Sequence, residues 1–427
     1  MPESDQTALR EQVAAALGQL RGIKIDEQAV LSHVIRRAHV MTAISDQGAV
    51  EALAPHPPGP HPPPVPPVAE VYVLGVDDFI ADIHQALEDD EGYVIALHQY
   101  GLPYKSVVSG YAHQPQDGTQ DWAFDVRQHV ASLSKHITAM AMTRALIAAG
   151  LPRIGSTPII DYLPTYWAKG PNIDQITIAE LLTHTSGITQ DTNSTPADFQ
   201  TMKEVIAAGV SASDIGTYEY RNVNFTLCRV LLATITGEVP VDWAAPLWPW
   251  TVDQAWDLVT TLYYQGYVAT NVFAPAGVNG PSLKHRPADA LAYPFSLGAA
   301  GWNSGDLSTL AGADAWHMSV EEVLAVMGTF RRTNAIVDNT PALNMLDYKF
   351  GIDCRLLTPL GFVYWKSGYW SNGSAAEQGV LFYLPEDMEL VVLVNSPIGS
   401  NEPDVNLGSL VYNAYKNNIK AVPVLLP

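Results

Sequence analysis

The segment Val130-Ala-Ser-Leu-Ser-Lys-His-Ile-Thr-Ala-Met-Ala-Met142 places Ser132 three residues before Lys135, at the start of an alanine-rich apolar run. Residues i and i+3 lie on one face of a helix, so the amine of Lys135 can lie beside the Ser132 hydroxyl. A lysine accepts a serine proton only where burial and nearby positive charge keep part of it neutral. The apolar residues after Lys135 predict such burial. The spacing therefore predicts a nucleophile, Ser132, and its base, Lys135.

An ordinary amphipathic helix could contain the same spacing by chance. Two motifs further along the chain favour the catalytic interpretation. One is Tyr220-Arg-Asn222, and the other is Lys366-Ser-Gly368 at the end of a strand-like segment. Ser-x-x-Lys, Tyr-x-Asn and Lys-Ser/Thr-Gly, in that order, resemble the three-part signature of the penicillin-recognising serine enzymes.

Three more segments resemble the class C β-lactamase branch of the serine β-lactamase and penicillin-binding-protein superfamily. They are Ile178-Ala-Glu-Leu-Leu-Thr-His-Thr-Ser-Gly187, Phe273-Ala-Pro-Ala-Gly-Val278 and Ala299-Ala-Gly-Trp-Asn-Ser-Gly-Asp-Leu307, the last similar to that branch's Ser-x-x-Asp-Leu segment. The resemblance covers roughly residues 70 to 427. It does not select a substrate, because the branch includes β-lactamases, D-amino-acid peptidases and amidases, esterases and acyltransferases.

The resemblance implies roles for the Tyr-x-Asn motif. Tyr220 corresponds to the family tyrosine that carries protons to the leaving group, and two neighbouring lysines would favour its phenolate. Tyr218 is the competing candidate, but only Tyr220 has an asparagine two residues later. Asn222 would hold Lys135 or the acyl group by hydrogen bonds.

The resemblance also implies roles for the Lys-Ser-Gly motif. Lys366 would add positive potential, Ser367 a hydroxyl group, and Gly368 space for substrate to approach the backbone. The oxyanion hole would be the backbone N–H groups of Ser132 and Tyr369, and such preorganised donors usually supply a large part of catalysis.

Several other residues near these motifs have simpler interpretations. His184 is predicted to be a structural histidine, and Asp306 a capping residue. Trp365, Tyr369 and Trp370 surround the Lys-Ser-Gly motif. These aromatic residues suggest the hypothesis that the preferred acyl group is apolar or aromatic.

The composition excludes several classes of function. Asp and Glu number 44 against 23 Lys and Arg, a formal net charge of −21 that disfavours a nucleic-acid partner. The two cysteines, Cys228 and Cys354, lie in apolar settings that predict free buried thiols. No metal-binding motif occurs, so neither a metal nor another cofactor is expected. The N-terminus lacks the pattern of a signal peptide and no apolar run could span a bilayer, so we expect a cytoplasmic enzyme without membrane contact.

The sequence predicts three regions. Residues 1–54 read as a helical extension, 55–69 as a proline-rich linker, and 70–427 as the catalytic domain. Strands near both ends of that domain, about 70–130 and 291–427, predict one antiparallel sheet in an α/β (α+β) fold flanked by helices. An all-helical subdomain of about 131–290 inserts between them. The N-terminal helices could pack on the catalytic domain, or could support a homo-oligomer.

The leading functional prediction is a serine hydrolase that forms an acyl-enzyme on Ser132 and cleaves an ester or amide bond of a small molecule. An esterase and a D-amino-acid amidase or peptidase are the two main versions. The first alternative is an acyltransferase of small-molecule biosynthesis that uses the same acyl-enzyme. The others are a non-catalytic penicillin-binding-like protein and a true β-lactamase.

Overall fold

The computed structural model of the protein describes residues 68–151, 154–190, 197–243, 251–295, 298–398 and 406–425. The predicted helical extension over 1–54 lies outside these residues, as does the linker up to residue 67. The chain forms two compact units, Tyr72–Lys420 and one that joins Met1–Val71 with Ala421–Pro427. The predicted division into a helical extension, a linker and a catalytic domain stays a prediction.

The strands are numbered in chain order. They are β1 (Val68–Leu74), β2 (Gly92–Gln99), β3 (Leu102–His113), β4 (Gln120–Asp121), β5 (Gln128–His129), β6 (His317–Met318), β7 (Cys354–Thr358), β8 (Gly361–Ser371), β9 (Ala376–Leu384), β10 (Met388–Val394) and β11 (Ile419–Leu425). Seven of them form one sheet in the order β4-β3-β2-β10-β9-β8-β7, and every neighbouring pair is antiparallel. Both ends of the chain contribute strands, which confirms the predicted mixed fold built on one antiparallel sheet.

The helices are also numbered in chain order. They are α1 (Val76–Leu87), α2 (Ser134–Ala148), α3 (Ile178–Leu182), α4 (Phe199–Ala208), α5 (Val223–Ile235), α6 (Val252–Val268), α7 (Val320–Arg332), α8 (Asn339–Asp347) and α9 (Leu407–Asn417). Helices α2 to α6 lie in the sequence between β5 and β6. None of the helices in the described parts of the chain is long and apolar enough to cross a membrane.

Helices cover both faces of the sheet, and the central strand β10 shows this most directly. Leu390 and Val392 belong to the apolar cluster that includes α1 and α9, whereas Val391 and Leu393 belong to the cluster that includes α2 and α7. A strand buried on both faces has no polar side to alternate with. The run Met-Glu-Leu-Val-Val-Leu-Val of β10 is therefore apolar except for one residue, Glu389.

Glu389 is buried and is held by two arginines at the end of α7. Arg331 Nη1 lies 3.0 Å from Glu389 Oε1, and Arg332 Nη2 pairs with the other carboxylate oxygen. Burial raises the pKa of Glu389, whereas the two arginines oppose this increase. The pairing ties α7 to the sheet at the only charged position of β10.

Removing this carboxylate is expected to destabilise the fold. Glu389→Ala takes the shared partner from two arginines, and breaking a buried ion pair typically costs about 3 kcal/mol or more. Chemical denaturation followed by circular dichroism measures the change. Lys284→Ala is the control, because Lys284 and Asp306 form an exposed pair whose loss should cost less than about 1 kcal/mol. Equal losses in the two variants would contradict this account.

Candidate active site

Ser132 lies in a single tight helical turn, Ala131–Leu133, that leads directly into α2. The turn is closed by a hydrogen bond from the Leu133 N–H to the Val130 carbonyl, with an N···O distance of 3.1 Å. Ala131 has a φ of +47°, in the left-handed region that residues other than glycine rarely adopt. Such conformations concentrate at functional sites, where the surrounding structure enforces them. The backbone thus presents Ser132 in a constrained geometry.

Three side chains meet the Ser132 hydroxyl, one from the next helical turn and two from distant parts of the sequence. Lys135 Nζ lies 2.9 Å from Ser132 Oγ, and Tyr220 OH lies 2.7 Å from it. Asp314 Oδ1 lies 2.5 Å from the same oxygen. The structure therefore brings the three predicted catalytic residues together, and it adds a carboxylate that the sequence analysis did not identify.

Lys135 is completely buried, as its apolar helix predicted. Its Nζ lies 2.8 Å from Asp314 Oδ1 and 3.3 Å from the Ala313 carbonyl oxygen, in addition to its contact with Ser132. The amine is therefore paired with a buried carboxylate. The burial matches the prediction for a partly neutral lysine, but the nearest charged group is negative, whereas nearby positive charge was predicted.

Lys366 is the second buried lysine of the site, and it also has a carboxylate partner. Its Nζ lies 2.5 Å from Asp353 Oδ1. Burial acts to lower the pKa of Lys366, but the charge and hydrogen bond of Asp353, together with the neighbouring Tyr220 and Tyr218, outweigh this effect and the net pKa is raised. The Tyr220 ring lies between the two amines, 5.1 Å from Lys135 Nζ and 4.8 Å from Lys366 Nζ. The predicted pair of lysines beside Tyr220 is therefore present.

Gly368 allows strand β8 to approach the turn that carries the nucleophile. A Cβ atom at this position would lie 2.5 Å from the Val130 carbonyl oxygen and 3.1 Å from the Ser132 nitrogen. Gly368 was predicted to let substrate approach the backbone, but here the closest neighbour is the protein's own backbone. Glycine is required because no other residue lacks a Cβ.

The backbone of β8 is oriented as an oxyanion hole needs. The Ser367 N–H donates to Asp353 Oδ2 at 2.9 Å, so it points away from β9. Alternate N–H groups of a strand point to the same edge. The Tyr369 N–H therefore points to that edge as well, on the strand segment that lies against Ser132. This orientation is compatible with the predicted pair of donors, Ser132 and Tyr369.

The side chains of β8 alternate between the two faces of the sheet, and this corrects two predictions. Trp365 stacks on Phe382 and Tyr412, with ring centroids 5.2 and 5.1 Å away, on the face opposite the nucleophile. The Ser367 hydroxyl is on that face too, where it lies against Gly408 of α9 and fills the space that a Cβ atom would need there. The predicted placement of the Ser367 hydroxyl in the site is thus wrong, because adjacent residues of a strand point in opposite directions.

The same alternation limits the aromatic surface near the site. Tyr369 shares the face of Trp365 and is 59% exposed. Trp370 lies on the side of the nucleophile, edge-on to His129 with ring centroids 5.6 Å apart. Only one of the three aromatic residues that suggested an apolar acyl group therefore faces the site.

Asn222 does not make the predicted hydrogen bond to Lys135. It precedes the first turn of α5, where its carbonyl accepts the N–H groups of Phe225 and Thr226. Its side-chain Oδ1 is buried and has no hydrogen-bond partner among the described residues. The second role that the family resemblance implied, a hydrogen bond to the acyl group, stays a prediction.

His184 positions Tyr220, which agrees with the structural role predicted for it. Its carbonyl accepts the Glu219 N–H at 2.8 Å and its Nδ1 accepts the Arg221 N–H at 3.2 Å, so it holds the backbone on both sides of Tyr220. The His184 and Tyr220 rings are 4.3 Å apart between centroids. Burial and the charges of the two site lysines lower the pKa of His184 well below its usual range. The ring is therefore neutral at physiological pH.

One group of residues in the described part of the chain could hold a metal ion, namely His285, Asp289 and His317. Their nearest donor atoms lie within 4.8 Å of one another. Asp289 Oδ2 already accepts the Arg286 N–H at 2.8 Å. The ring nitrogens of His317 contact the Ser304 hydroxyl and the Ser282 carbonyl. Protein groups therefore already occupy donor atoms of both residues.

Comparison with known proteins identifies the family. The model of the beta-lactamase family matches residues 102–408, which is more than half of the chain. The chain belongs to the beta-lactamase family. This match confirms the resemblance seen in the sequence motifs.

Individual relatives in the beta-lactamase family are distant. A Bacillus subtilis (strain 168) protein named "Putative penicillin-binding protein PbpX" is 26% identical over 142 residues, which are 32% of this chain and 29% of that protein. The chain thus spans less than a third of the length of this curated relative. The octameric penicillin-binding protein homologue of Pyrococcus abyssi is 16% identical with a TM-score of 0.57, over 80% of this chain and 77% of that one. The class C beta lactamase of Rhodobacter sphaeroides is 16% identical with a TM-score of 0.56, over 79% and 99%.

The position of Asp314 explains why the family motifs did not find it. The sequence analysis assigned the Ser-x-x-Asp-Leu segment to residues 299–307, but Asp306 there is half-exposed, pairs with Lys284 and accepts the Ser308 N–H. The segment that enters the site is the next one, and a helix follows it. Ser319 caps that helix, α7, in a capping box with Glu322. The capping box that follows Asp314 could have indicated that this aspartate lies just before a helix and next to the core.

The close approach at Gly368 yields a sharp test. Gly368→Ala forces β8 away from the Val130 carbonyl, and a displacement of about 1 Å at a catalytic centre can cost on the order of 100-fold in rate. We expect acylation of Ser132 by an activated ester to fall by at least about that factor. Gly266→Ala is the matched control, because nothing lies within 4 Å of the added methyl group. Stopped-flow release of an aryl leaving group measures both, and an unimpaired Gly368→Ala enzyme would contradict the role of Gly368.

Proposed function

We propose that this protein is a serine hydrolase that forms an acyl-enzyme on Ser132 and cleaves an ester or amide bond of a small molecule. The observation that carries the proposal is the convergence on Ser132 Oγ of Lys135 Nζ at 2.9 Å and Tyr220 OH at 2.7 Å. A nucleophile in hydrogen-bond contact with groups that can move its proton is the arrangement that covalent catalysis needs. Membership of the beta-lactamase family supports the same chemistry.

The geometry supports a sequence of proton movements that balances. Ser132 Oγ bonds to the substrate carbonyl carbon and loses its proton within the buried network, while the carbonyl oxygen is stabilised by the N–H groups of Ser132 and Tyr369. Tyr220 then gives its proton to the leaving group. The ring of the resulting phenolate has two lysine amines beside it, Lys135 Nζ at 5.1 Å and Lys366 Nζ at 4.8 Å from the ring centroid. Water attacks the acyl-enzyme, its proton returns to Tyr220, and Ser132 recovers its own proton as the acid leaves.

The charges of the site favour substrates that carry no carboxylate next to the reacting bond. Lys135 is paired with Asp314, and Lys366 with Asp353. Each buried lysine is therefore already neutralised by a protein group. Penicillins and peptides that end in a D-amino acid carry a carboxylate, which would have to compete with these aspartates. An ester with uncharged groups meets no such competition, so an esterase is the version of this function that we favour.

Two esters that differ by one carboxylate distinguish these substrate classes. A p-nitrophenyl ester of butyric acid should acylate Ser132 and turn over. The corresponding monoester of succinic acid, with its free carboxylate, should show a kcat/KM at least about tenfold lower, a difference of about 1.4 kcal/mol. Asp353→Asn removes the charge that neutralises Lys366, so it should reduce the difference in kcat/KM between the two esters. Intact-protein mass spectrometry and release of p-nitrophenol measure adduct and turnover.

Ser132→Ala is the control for the nucleophile, and it should give neither an adduct nor turnover. Absence of any Ser132-dependent adduct across esters, D-amino-acid amides and penicillins would overturn the proposal. An acyl-enzyme that is released only when an amine or alcohol is added would instead identify the alternative function, an acyltransferase. A preference for the carboxylate ester would contradict the charge argument alone.

A further inference from the structure

Asp314 is held rigidly against the nucleophile. Its side chain is only 2% exposed, and Oδ1 contacts both Ser132 Oγ at 2.5 Å and Lys135 Nζ at 2.8 Å. Its backbone is fixed as well, since the carbonyl of Asp314 contacts Nε2 of the buried His129 and the carbonyl of Ala313 accepts from Lys135. The carboxylate is therefore part of the site and not a mobile surface group.

The number of hydrogens on Lys135 and Ser132 determines which atom donates and which accepts in each hydrogen bond around Ser132. A lysine ammonium has three N–H donors and no acceptor. Lys135 Nζ has three neighbouring acceptors, which are Ser132 Oγ, Asp314 Oδ1 and the Ala313 carbonyl. The three donors of an ammonium match these three acceptors. A neutral amine would have to accept the Ser132 hydrogen with its lone pair, and the 2.5 Å contact between Ser132 Oγ and Asp314 Oδ1 would then have no hydrogen.

The same count applies to the serine hydroxyl, which has one hydrogen and two acceptor positions. Ser132 Oγ accepts from Lys135 and from Tyr220, which uses both lone pairs. Its single hydrogen is then left for the third neighbour, Asp314 Oδ1, which as a carboxylate oxygen can only accept. In this arrangement the serine proton already lies on the line to Asp314.

We propose that Asp314 is a catalytic residue that accepts the Ser132 proton, while Lys135 remains an ammonium. The inference rests on the acyl-enzyme function proposed above and deepens it. As Ser132 Oγ bonds to the carbonyl carbon, the O–H bond breaks and its proton moves to Asp314 Oδ1, and the carbonyl π electrons move to the oxygen in the oxyanion hole. The proton returns to Ser132 Oγ when the acyl group leaves. A weak base suffices, because a hydroxyl becomes strongly acidic once its oxygen is bonded to the carbonyl carbon.

The electrostatics of the site keep this carboxylate ionised. The charged and hydrogen-bonding groups that act on it are Lys135 on α2, Ser132 in the turn before α2, and His129 on β5. Burial alone would raise the pKa of Asp314, but the charge and hydrogen bond of Lys135 and the hydrogen bond of Ser132 lower it below the ordinary value. A depressed pKa means that the carboxylate persists as pH falls and is lost only below the usual aspartate range of about 3.9.

The acylation rate as a function of pH tests the proposal on the intact enzyme. With p-nitrophenyl butyrate in single-turnover stopped flow, we expect the wild-type rate to be flat from about pH 8 to pH 5, since Asp314 remains ionised throughout. A lysine base predicts a different profile, because its neutral fraction falls about tenfold for each unit that pH decreases. A wild-type rate that falls in that way through neutral pH would overturn the proposal, and this measurement requires no variant.

Two variants complete the test. Asp314→Asn keeps an oxygen that can accept from Lys135 and Ser132 but removes the base, so acylation should fall by about 10²–10⁴-fold at every pH. Asp306→Asn, at an exposed aspartate outside the site, should retain the wild-type rate. An Asp314→Asn enzyme that acylates within tenfold of wild type would overturn the role of Asp314 while the acyl-enzyme function stands. If wild type itself forms no adduct, the proposed function fails first.

Discussion

The contact between strand β8 and the turn of the nucleophile is the constraint on which the site depends. Gly368 in β8 is paired across the strands with Gly379 in β9. The Leu133 side chain lies over both, 3.0 and 3.4 Å from the positions that their Cβ atoms would occupy. The absence of side chains at these two adjacent glycines thus leaves a shallow depression in the sheet, into which Leu133 packs. This depression lets the backbone of the sheet approach the turn that leads into α2.

Around that contact the protein keeps an unusual amount of charge out of water. Lys135 and Asp314 form one buried pair, and Lys366 and Asp353 form another that is partly open to solvent. Desolvation of such charges is costly, and pairing offsets it only where geometry and hydrogen bonding are good. Both pairs adjoin Tyr220 or Ser132, so we assign them to the proposed chemistry and not to stability. Each aspartate reduces the positive potential that two lysines alone would create.

The predictions from sequence were accurate where local patterns were sufficient. The apolar run after Ser132 indicated a buried helix, and α2 is buried on nearly every side. Alternation was misjudged in β8, because Trp365 and Ser367 were placed in the site although a strand turns adjacent side chains to opposite faces. The N-terminal helices lie outside the described residues, so their role stays a prediction.

The sequence by itself determined the family, the order of the motifs and the pairing of Ser132 with Lys135, because these depend on residue types and on spacings of a few positions. Only the tertiary structure decided the electrostatics of the site. Asp314 and Asp353 are 179 and 13 residues away in sequence from the lysines that they neutralise. Contacts at such separations are set by how the sheet and the helices pack, and no local spacing encodes them. The proposals on substrate charge and on the catalytic base rest on those contacts.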